Sequence, residues 1–357
     1  MIANVLRLTV WEWHKLRRRR ITWLLLAIAI VIAQLCLWSL YIAYQTDFLG
    51  EANQLTQSYA PKDGEEGGGS EFSVTMSCAD MREGRIPSEV NELPESQRQE
   101  VLADFERFFT EDCAQLEEAR ETLRKNFTLP GSIGGILSIV QSVAVILTIV
   151  LAASTLGSEY GWGTLRTVLV RGVGRWQYLA SKTIALMLMV VAGLLIMCLT
   201  VAVGSLVTTL LVANANDGLG ATIELSEWTV TAAMFGKTLY GLVPYLIAAL
   251  FLGVLTSSTY ASISIALVYY VGELVIVPML STLFDWFRNV KQYVLGPSIQ
   301  NWLDNPPLIQ IGASSGSDLQ NPDVLQAFLV LLAYIIIFGA ATFWLFQRRD
   351  ITGAKGQ

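Results

Sequence analysis

Six long apolar segments constrain this chain more than any other feature of its sequence. They occupy residues 21–44, 133–156, 183–212, 239–255, 261–283 and 324–346. A helix of roughly 20 apolar residues is needed to cross about 30 Å of hydrocarbon. Across all six segments the only formally charged side chain is Glu273. The pattern predicts an all-α integral membrane protein with six transmembrane helices, in which residues 256–260 form a tight turn between the fourth and fifth.

Composition agrees with a membrane protein and excludes several kinds of chemistry. The chain is 53% hydrophobic and 15% charged, whereas charged residues make up about a quarter of a typical soluble domain. It has one histidine, His14, so catalysis by a histidine pair and a histidine-rich metal site are excluded. The apolar segments also lack paired carboxylates and the His-Glu-x-x-His and Gly-x-Ser-x-Gly motifs. We therefore predict no catalytic residue and no metal site.

The positions of the basic residues predict the orientation. Lys and Arg collect beside the first segment at 15–20, between the second and third at 166–182, and after the last at 348–349. Such residues resist translocation and mark the cytosolic side, and only an even number of crossings places all three clusters there. The sequence thus predicts a multi-pass protein of the plasma membrane with cytosolic N and C termini. Residues 45–132, 213–238 and 284–323 are then external.

Residues 1–20 precede the first segment as an amphipathic leader. Apolar or small side chains recur in it at helical spacing, at Ile2, Val5, Leu6, Thr9, Trp13 and Leu16. Two interpretations remain open: an elbow helix packed against the bundle, or a basic leader that only sets topology. The arginines at 17–20 favour contact with anionic membrane lipid over nucleic acid. The segment at 21–44 is too long for a signal-peptide core, which favours an uncleaved anchor.

The first external segment, residues 45–132, is too long for a simple turn. Its glycine-rich part at 60–70 is typical of a linker. From Pro94 onward a helical stripe follows, which predicts a small helical domain resting on the bundle mouth or on a partner protomer. The stripe consists of Leu102, Phe105, Phe109, Cys113, Leu116 and Leu123. Because Cys78 and Cys113 would lie outside the membrane, we predict a disulfide between them. Cys36 and Cys198 fall within spans, as packing residues.

The cytosolic segment 157–182 carries the functional signal. It reads GSEYGWGTLRTVLVRGVGRWQYLASK and resembles the loop between the second and third spans of ABC-2 type permeases. The matching elements are Glu159, Gly163, Thr164 and Arg166, then Arg175, Tyr178 and Lys182. The ending Phe346, Arg348, Arg349, Asp350 and the six-span layout resemble the same family. The long external insert is a departure that leaves the substrate open.

This resemblance implies a cytosolic ATPase subunit as partner and a second permease copy, in a homodimer or heterodimer. The chain has no Gly-x-x-x-x-Gly-Lys-[Ser/Thr] run, so ATP and Mg²⁺ would be bound by the partner and this chain would need no cofactor. The expected coupling residues are Glu159, Gly161, Gly163, Thr164, Arg166, Arg171 and Arg175. Glu159 and Arg166 are the candidate contacts, with Gly161 and Gly163 allowing close backbone approach. Alternatively, the cations only enforce topology and the glycines mark a turn.

Glu273 is an ionisable group inside a predicted span, where insertion costs at least a few kcal/mol. It could line a pathway or couple protons, or it could be a hydrogen-bonded or snorkelling carboxyl near the outer end of its helix. The resemblance to ABC-2 type permeases implies the permease subunit of an ATP-driven exporter. The alternative is a non-transporting scaffold or sensor whose external domain binds a ligand.

Overall fold

The computed structural model describes most of the chain. The described residues are 2–46, 54–59, 72–77, 98–99, 102–103, 106, 114–161, 165, 174–215, 225–304 and 322–348. The main helices are α1 (Ile2–Arg18), α2 (Arg20–Gln45), α3 (Ala114–Phe127), α4 (Gly131–Gly161), α5 (Arg175–Ala215), α6 (Leu225–Thr256), α7 (Thr259–Leu283), α8 (Asp285–Val290), α9 (Leu295–Asp304) and α10 (Pro322–Arg348).

Within the described residues, six helices are long and apolar enough to cross a membrane: α2, α4, α5, α6, α7 and α10. This confirms the predicted six-span helical architecture. α4 and α6 are the most buried spans and pack closely on each other, whereas α2 and α10 lie at the periphery. Aliphatic side chains of α4 and α6, such as Ile136, Val140, Leu246 and Leu250, are buried in the apolar core of the bundle. The bundle is therefore organised around the α4–α6 pair.

One end of the bundle carries the C-terminal end of α1 and the end of α10, and we call it the termini face. It contains the C-terminal turns of α1, α4, α6 and α10 and the N-terminal turns of α2, α5 and α7. Arg175 Nη1 donates to the carbonyl of Gln347 over 2.7 Å, which joins the start of α5 to the end of α10. The turn from α6 to α7 spans Ser257 and Ser258, and Ser257 has a positive φ of 54°. The side chain of Ser258 caps α7 by accepting from Ala261 N–H.

The helices extend beyond the apolar segments at this face. The sequence placed a coupling loop at 157–182, but α4 continues to Gly161 and α5 already begins at Arg175. The connection between these two helices is therefore shorter than the predicted loop, and Glu159 and Lys182 belong to helices. Hydropathy delimits the apolar segments but not the helix ends. A helix continues through polar residues when their side chains form contacts elsewhere in the protein. The same holds at the other end, where α6 begins at Leu225 within the predicted loop 213–238.

The opposite end carries the insert between α2 and α4. Two strands, β1 (Gln54–Tyr59) and β2 (Phe72–Ser77), pair antiparallel, with Gln54 opposite Ser77 and Tyr59 opposite Phe72. The prediction of a purely helical insert missed this ladder, because its pairing joins segments on both sides of residues 60–70. Both segments contain Thr, aromatic and aliphatic residues that favour strands. α3 packs on α2 and α4. Cys78, Cys113 and most of the predicted stripe lie outside the described residues.

α1 packs along α5 through one face. Val5, Thr9, Glu12 and Leu16 are buried there at helical spacing, whereas Leu6 of the predicted stripe is exposed. A carboxylate on the buried face of an amphipathic helix requires a partner. Its partners lie at the termini face.

Candidate functional site

Four charged side chains form a closed ring at the termini face. Glu12 and Lys15 come from the last turns of α1, Glu159 from the end of α4 and Lys182 from the second turn of α5. Lys182 Nζ lies 2.5 Å from Glu159 Oε2 and 3.6 Å from Glu12 Oε2. Lys15 Nζ pairs with Glu159 Oε1 and lies 3.5 Å from Glu12 Oε1. Each ammonium therefore bridges both carboxylates, and each carboxylate uses both of its oxygens.

The ring is largely removed from solvent and carries no net charge. The side chains of Glu159 and Lys182 are 2% and 1% exposed, and Lys15, at 40%, lies at the edge. Ions at such depth are tolerated when they are paired and their remaining polar atoms are bonded. Lys182 Nζ also donates to the hydroxyl of Tyr178 over 3.1 Å. The alternation of two anions and two cations thus holds three helix ends together.

Two further contacts tie neighbouring elements to this ring. Tyr178 stacks on Phe346, with ring centroids 6.1 Å apart and both side chains buried, which places the end of α10 against the ring. Arg19, between α1 and α2, donates to the hydroxyl of Ser158 over 3.1 Å. With the bond from Arg175 to Gln347, all of α1, α4, α5 and α10 meet within one connected cluster. We call these residues and the ring together the termini cluster.

Gly157 brings a fifth element to this cluster. A Cβ built on Gly157 would lie 2.5 Å from Thr259 Cα and 2.7 Å from its backbone nitrogen. Only glycine allows α4 to approach the start of α7 so closely. The sequence had assigned close backbone approach to Gly161 and Gly163 instead. Gly161 has nothing within 4 Å of its Cβ position and is exposed, so its surface is open to a contact from outside this chain.

Three of the seven predicted coupling residues lie among the described residues, and the other four do not. Glu159 is a member of the ring, Gly161 ends α4, and Arg175 begins α5. Gly163, Thr164, Arg166 and Arg171 lie outside the described residues, in the connection that leaves the termini cluster from α4 and returns to it at α5. Their role in docking stays a prediction.

Glu12 and Lys15 are the members of the ring whose role sequence reasoning missed. Sequence patterns assign Lys15 only a role in topology and do not single out Glu12. One signal was available: Glu12 falls between Thr9 and Leu16 on the face that α1 buries. Its partner on α5 could not be found from sequence, because Glu12 and Lys182 are far apart along the chain.

A second charged arrangement lies toward the opposite end, around the short helix α9. Glu273 Oε1 accepts from Gly296 N–H over 2.5 Å at the start of α9, and its Oε2 accepts from the hydroxyl of Tyr245 over 2.8 Å. Lys237 Nζ donates to the carbonyl of Leu303 over 2.9 Å at the end of α9. The anion thus meets the positive end of the helix dipole and the cation meets the negative end. α9 is clamped between α6 and α7 from both sides.

Glu273 is therefore a hydrogen-bonded carboxyl that is 8% exposed. It also lines a cavity of about 260 Å³, together with Tyr270, Lys291 and Gln300. Gly296 lies so near that a Cβ there would be 3.0 Å from the carboxyl carbon. Among the described residues, no three His, Cys, Asp or Glu side chains converge as metal ligands. The ring thus joins helix ends through paired charges, whereas α9 is held by hydrogen bonds between two charged side chains and backbone groups at its ends.

Comparison with known proteins shows similarity to a family model and to a bacterial protein. The family model described as ABC-2 family transporter protein matches residues 8–351, nearly the whole chain. Uncharacterized protein YhcI of Bacillus subtilis (strain 168) is 26% identical over 219 residues, which cover 58% of this chain. The match spans 64% of the length of that relative. The family match includes all six spans, the termini cluster and α9.

Proposed function

Because the chain belongs to the ABC-2 transporter family, we propose that it is the transmembrane permease subunit of an ATP-driven exporter. Two permease copies form the translocation path, and a separate cytosolic ATPase subunit supplies the energy. The termini face is the cytosolic face, and the insert between α2 and α4 is extracytoplasmic. The assignment of the termini face rests on the cations that flank it, because basic residues are retained on the cytosolic side.

The observation that carries the coupling part of the proposal is the charge ring of Glu12, Lys15, Glu159 and Lys182. The connection 162–173 leaves α4 and enters α5 beside this ring. A force applied to that connection reaches both helices together, because the ring and the Tyr178–Phe346 stack join their ends to α1 and α10. The termini cluster is then the element that moves as a unit when the partner changes shape.

ATP enters this mechanism only through the partner. The chain contains no phosphate-binding Gly-x-x-x-x-Gly-Lys-[Ser/Thr] run, so the partner binds ATP and Mg²⁺. Closure of two ATPase subunits on ATP displaces the connection 162–173 of each permease copy. The arginines Arg166 and Arg171 in this connection and the open surface at Gly161 make the contact. The helix ends of the termini cluster move with this connection. The translocation path between the two permease copies then opens to the other side of the membrane.

Docking is tested by charge reversal in the connection. The affinity-tagged chain is purified from membranes of its own host cell, and any ABC ATPase that copurifies with it is identified and quantified by mass spectrometry. We expect Arg166→Glu with Arg171→Glu to lower recovery at least tenfold while the amount of permease in the membrane is unchanged. Arg288→Glu is the matched control, since Arg288 is exposed near the opposite end of the bundle. Full recovery with the double variant, or equal loss with the control, contradicts docking through this connection.

Orientation is tested by labelling from outside the cell. A single cysteine at position 171, in a chain whose other cysteines are serine, should resist a membrane-impermeant maleimide in intact cells and react after permeabilisation. A cysteine at Arg288 should react in intact cells. Labelling of position 171 from outside would overturn the cytosolic assignment of the termini face, and with it the proposed contact to the ATPase.

A further inference from the structure

A second, larger cavity lies between α1, α2, α4 and α5, next to the termini cluster. Its volume is about 320 Å³, at the small end of the range in which proteins bind organic ligands. Its walls include Leu26 and Ala29 of α2, Ala144 and Leu147 of α4, and Met197 of α5. It extends from the start of α2 toward the middle of the bundle, along the half of the membrane nearest the termini face.

The walls of this cavity suit a hydrocarbon chain and not a peptide. Its polar lining is limited, among the described residues, to Arg17, the indoles of Trp13 and Trp23, and the hydroxyls of Thr22 and Thr148. Thr22 already donates its hydroxyl to the carbonyl of Leu16 over 2.9 Å. A peptide would bury N–H and C=O groups without hydrogen-bond partners in this lining, which is unfavourable. An acyl chain has no such groups, so it leaves no polar atom without a partner in the cavity.

The mouth of the cavity is cationic and aromatic. Arg17 is exposed at the mouth, and Arg18 and Arg20 are exposed beside it. Trp23 donates its indole N–H to the carbonyl of Arg17 over 2.8 Å, which holds the ring at the entrance. Tryptophan favours the lipid headgroup level, and guanidinium groups bind phosphate in a bidentate manner. The nearby acids Glu12 and Glu159 are neutralised within the charge ring. The mouth therefore complements an anionic headgroup.

We propose that this cavity binds one acyl chain of an anionic phospholipid, whose phosphate is held by Arg17 and the neighbouring arginines. The lipid wedges between α2 and the α4–α5 pair and so supports α1 and the termini cluster from the membrane side. This site stands on the cavity and its mouth alone, and it does not require that the chain be an exporter.

Gly193 provides a clean way to fill the cavity. It lines the cavity, and a Cβ there would meet only Leu26 Cδ1, at 3.9 Å. A Leu side chain at this position therefore extends into the space that the acyl chain would occupy, and it also raises helix propensity relative to Gly. Gly236→Leu is the control, because Gly236 on α6 has nothing within 4 Å of its Cβ position and lies outside the cavity lining.

The test uses native mass spectrometry of the delipidated full chain with added phosphatidylglycerol or phosphatidylethanolamine. We expect one phosphatidylglycerol to bind at least tenfold more tightly than phosphatidylethanolamine, and Gly193→Leu to abolish this tight site while Gly236→Leu retains it. Arg17→Gln should remove the preference for the anionic lipid. Equal affinity for the two lipids, or unchanged binding by Gly193→Leu, would overturn the proposal.

Position is tested separately with a phosphatidylglycerol that carries a diazirine in one acyl chain. Photolysis should label peptides of α2 and α5 that contain Leu26 and Met197, and Gly193→Leu should suppress this labelling without lowering the thermal stability of the protein. Labelling spread evenly over the lipid-facing helices α7 and α10 would show a general annular contact and would refute a built site.

Discussion

The ammonium of Lys182 lies 2.5 Å from the carboxylate of Glu159, with both side chains almost completely buried. This contact joins the end of α4 to the beginning of α5, across the connection through which we propose the ATPase acts. Because Lys182 also faces Glu12 and Glu159 also faces Lys15, neither residue belongs to an isolated pair. The ring as a whole is neutral. A mutation that leaves it with a net charge should therefore lower stability more than one that keeps it neutral.

Removal of a single member of the ring should destabilise the protein strongly. Lys182→Met leaves two buried carboxylates facing one lysine, and breaking a buried pair in this way costs about 3–5 kcal/mol. The double variant Glu159→Gln with Lys182→Met keeps the ring neutral and leaves the Glu12–Lys15 pair, so it should lose less than Lys182→Met alone. The stability of both variants is measured as an apparent melting temperature in detergent, with size-exclusion chromatography reporting the fraction that stays folded after heating.

Two further variants separate a ring from a simple pair. Exchanging the two charges, Glu159→Lys with Lys182→Glu, would restore an isolated pair but places like charges together in the ring, so we expect no recovery. Lys125→Met is the control, since Lys125 forms an exposed pair with Glu121 and such pairs contribute about 0–1 kcal/mol. Recovery by the exchanged variant would show that Glu12 and Lys15 do not take part.

The two ends of α9 should respond separately to loss of their charged partners. Lys237→Met removes the donor to the carbonyl of Leu303, and Glu273→Ala removes the acceptor for Gly296 N–H. A hydrogen bond to a charged group contributes about 1.5–3 kcal/mol. We expect amide exchange to rise about tenfold or more, in the last turn of α9 for Lys237→Met and in the first for Glu273→Ala.

Hydrogen–deuterium exchange with mass spectrometry resolves the two ends, and Arg288→Ala serves as an exposed control. The effects should add in the double variant because the two sites lie at opposite ends of a ten-residue helix. Exchange that rises uniformly along α9 in either single variant would argue against separate anchors.

Gly157→Ala should be destabilising even though alanine favours helices. The new methyl group would lie within 2.7 Å of backbone atoms of Thr259, so α7 must move, at a cost of about 1–3 kcal/mol. Gly161→Ala, four residues later in the same helix, meets no atom within 4 Å and should gain up to about 1 kcal/mol. Melting temperatures of the two variants should shift in opposite directions, and a shared direction would contradict the close approach.

The predicted disulfide between Cys78 and Cys113 is open to a direct measurement. If the insert is exported into an oxidising compartment, peptides containing the two cysteines should appear as one linked species without reductant and as two after reduction. Closing this loop would stabilise the insert by about 3–4 kcal/mol in the chain-entropy model. Cys36 and Cys198, which are free and half-buried in α2 and α5, provide the internal reference for unlinked thiols.

Much of the termini cluster could be located from sequence, but its geometry could not. Glu159 and Lys182 stood out within the segment that resembles ABC-2 permeases, and α1 was recognisable by its spacing. The ring remained hidden because Glu12 and Lys15 had no local signal for partners on α4 and α5. The β1–β2 ladder was missed for the same reason: strand pairing depends on contacts across an intervening segment.

The sequence by itself determined that the chain is a helical membrane protein with six spans. The length and charge of an apolar segment are local properties, and they decide whether that segment partitions into lipid or stays in water. Only the tertiary structure decided that Glu12, Lys15, Glu159 and Lys182 neutralise one another, that Glu273 and Lys237 clamp α9, and that an apolar cavity opens beneath the arginines of α1. Each of these depends on distances between residues far apart in the chain. Burial makes such contacts selective, since a charge removed from water is tolerated only where an opposite charge or a fitting dipole meets it.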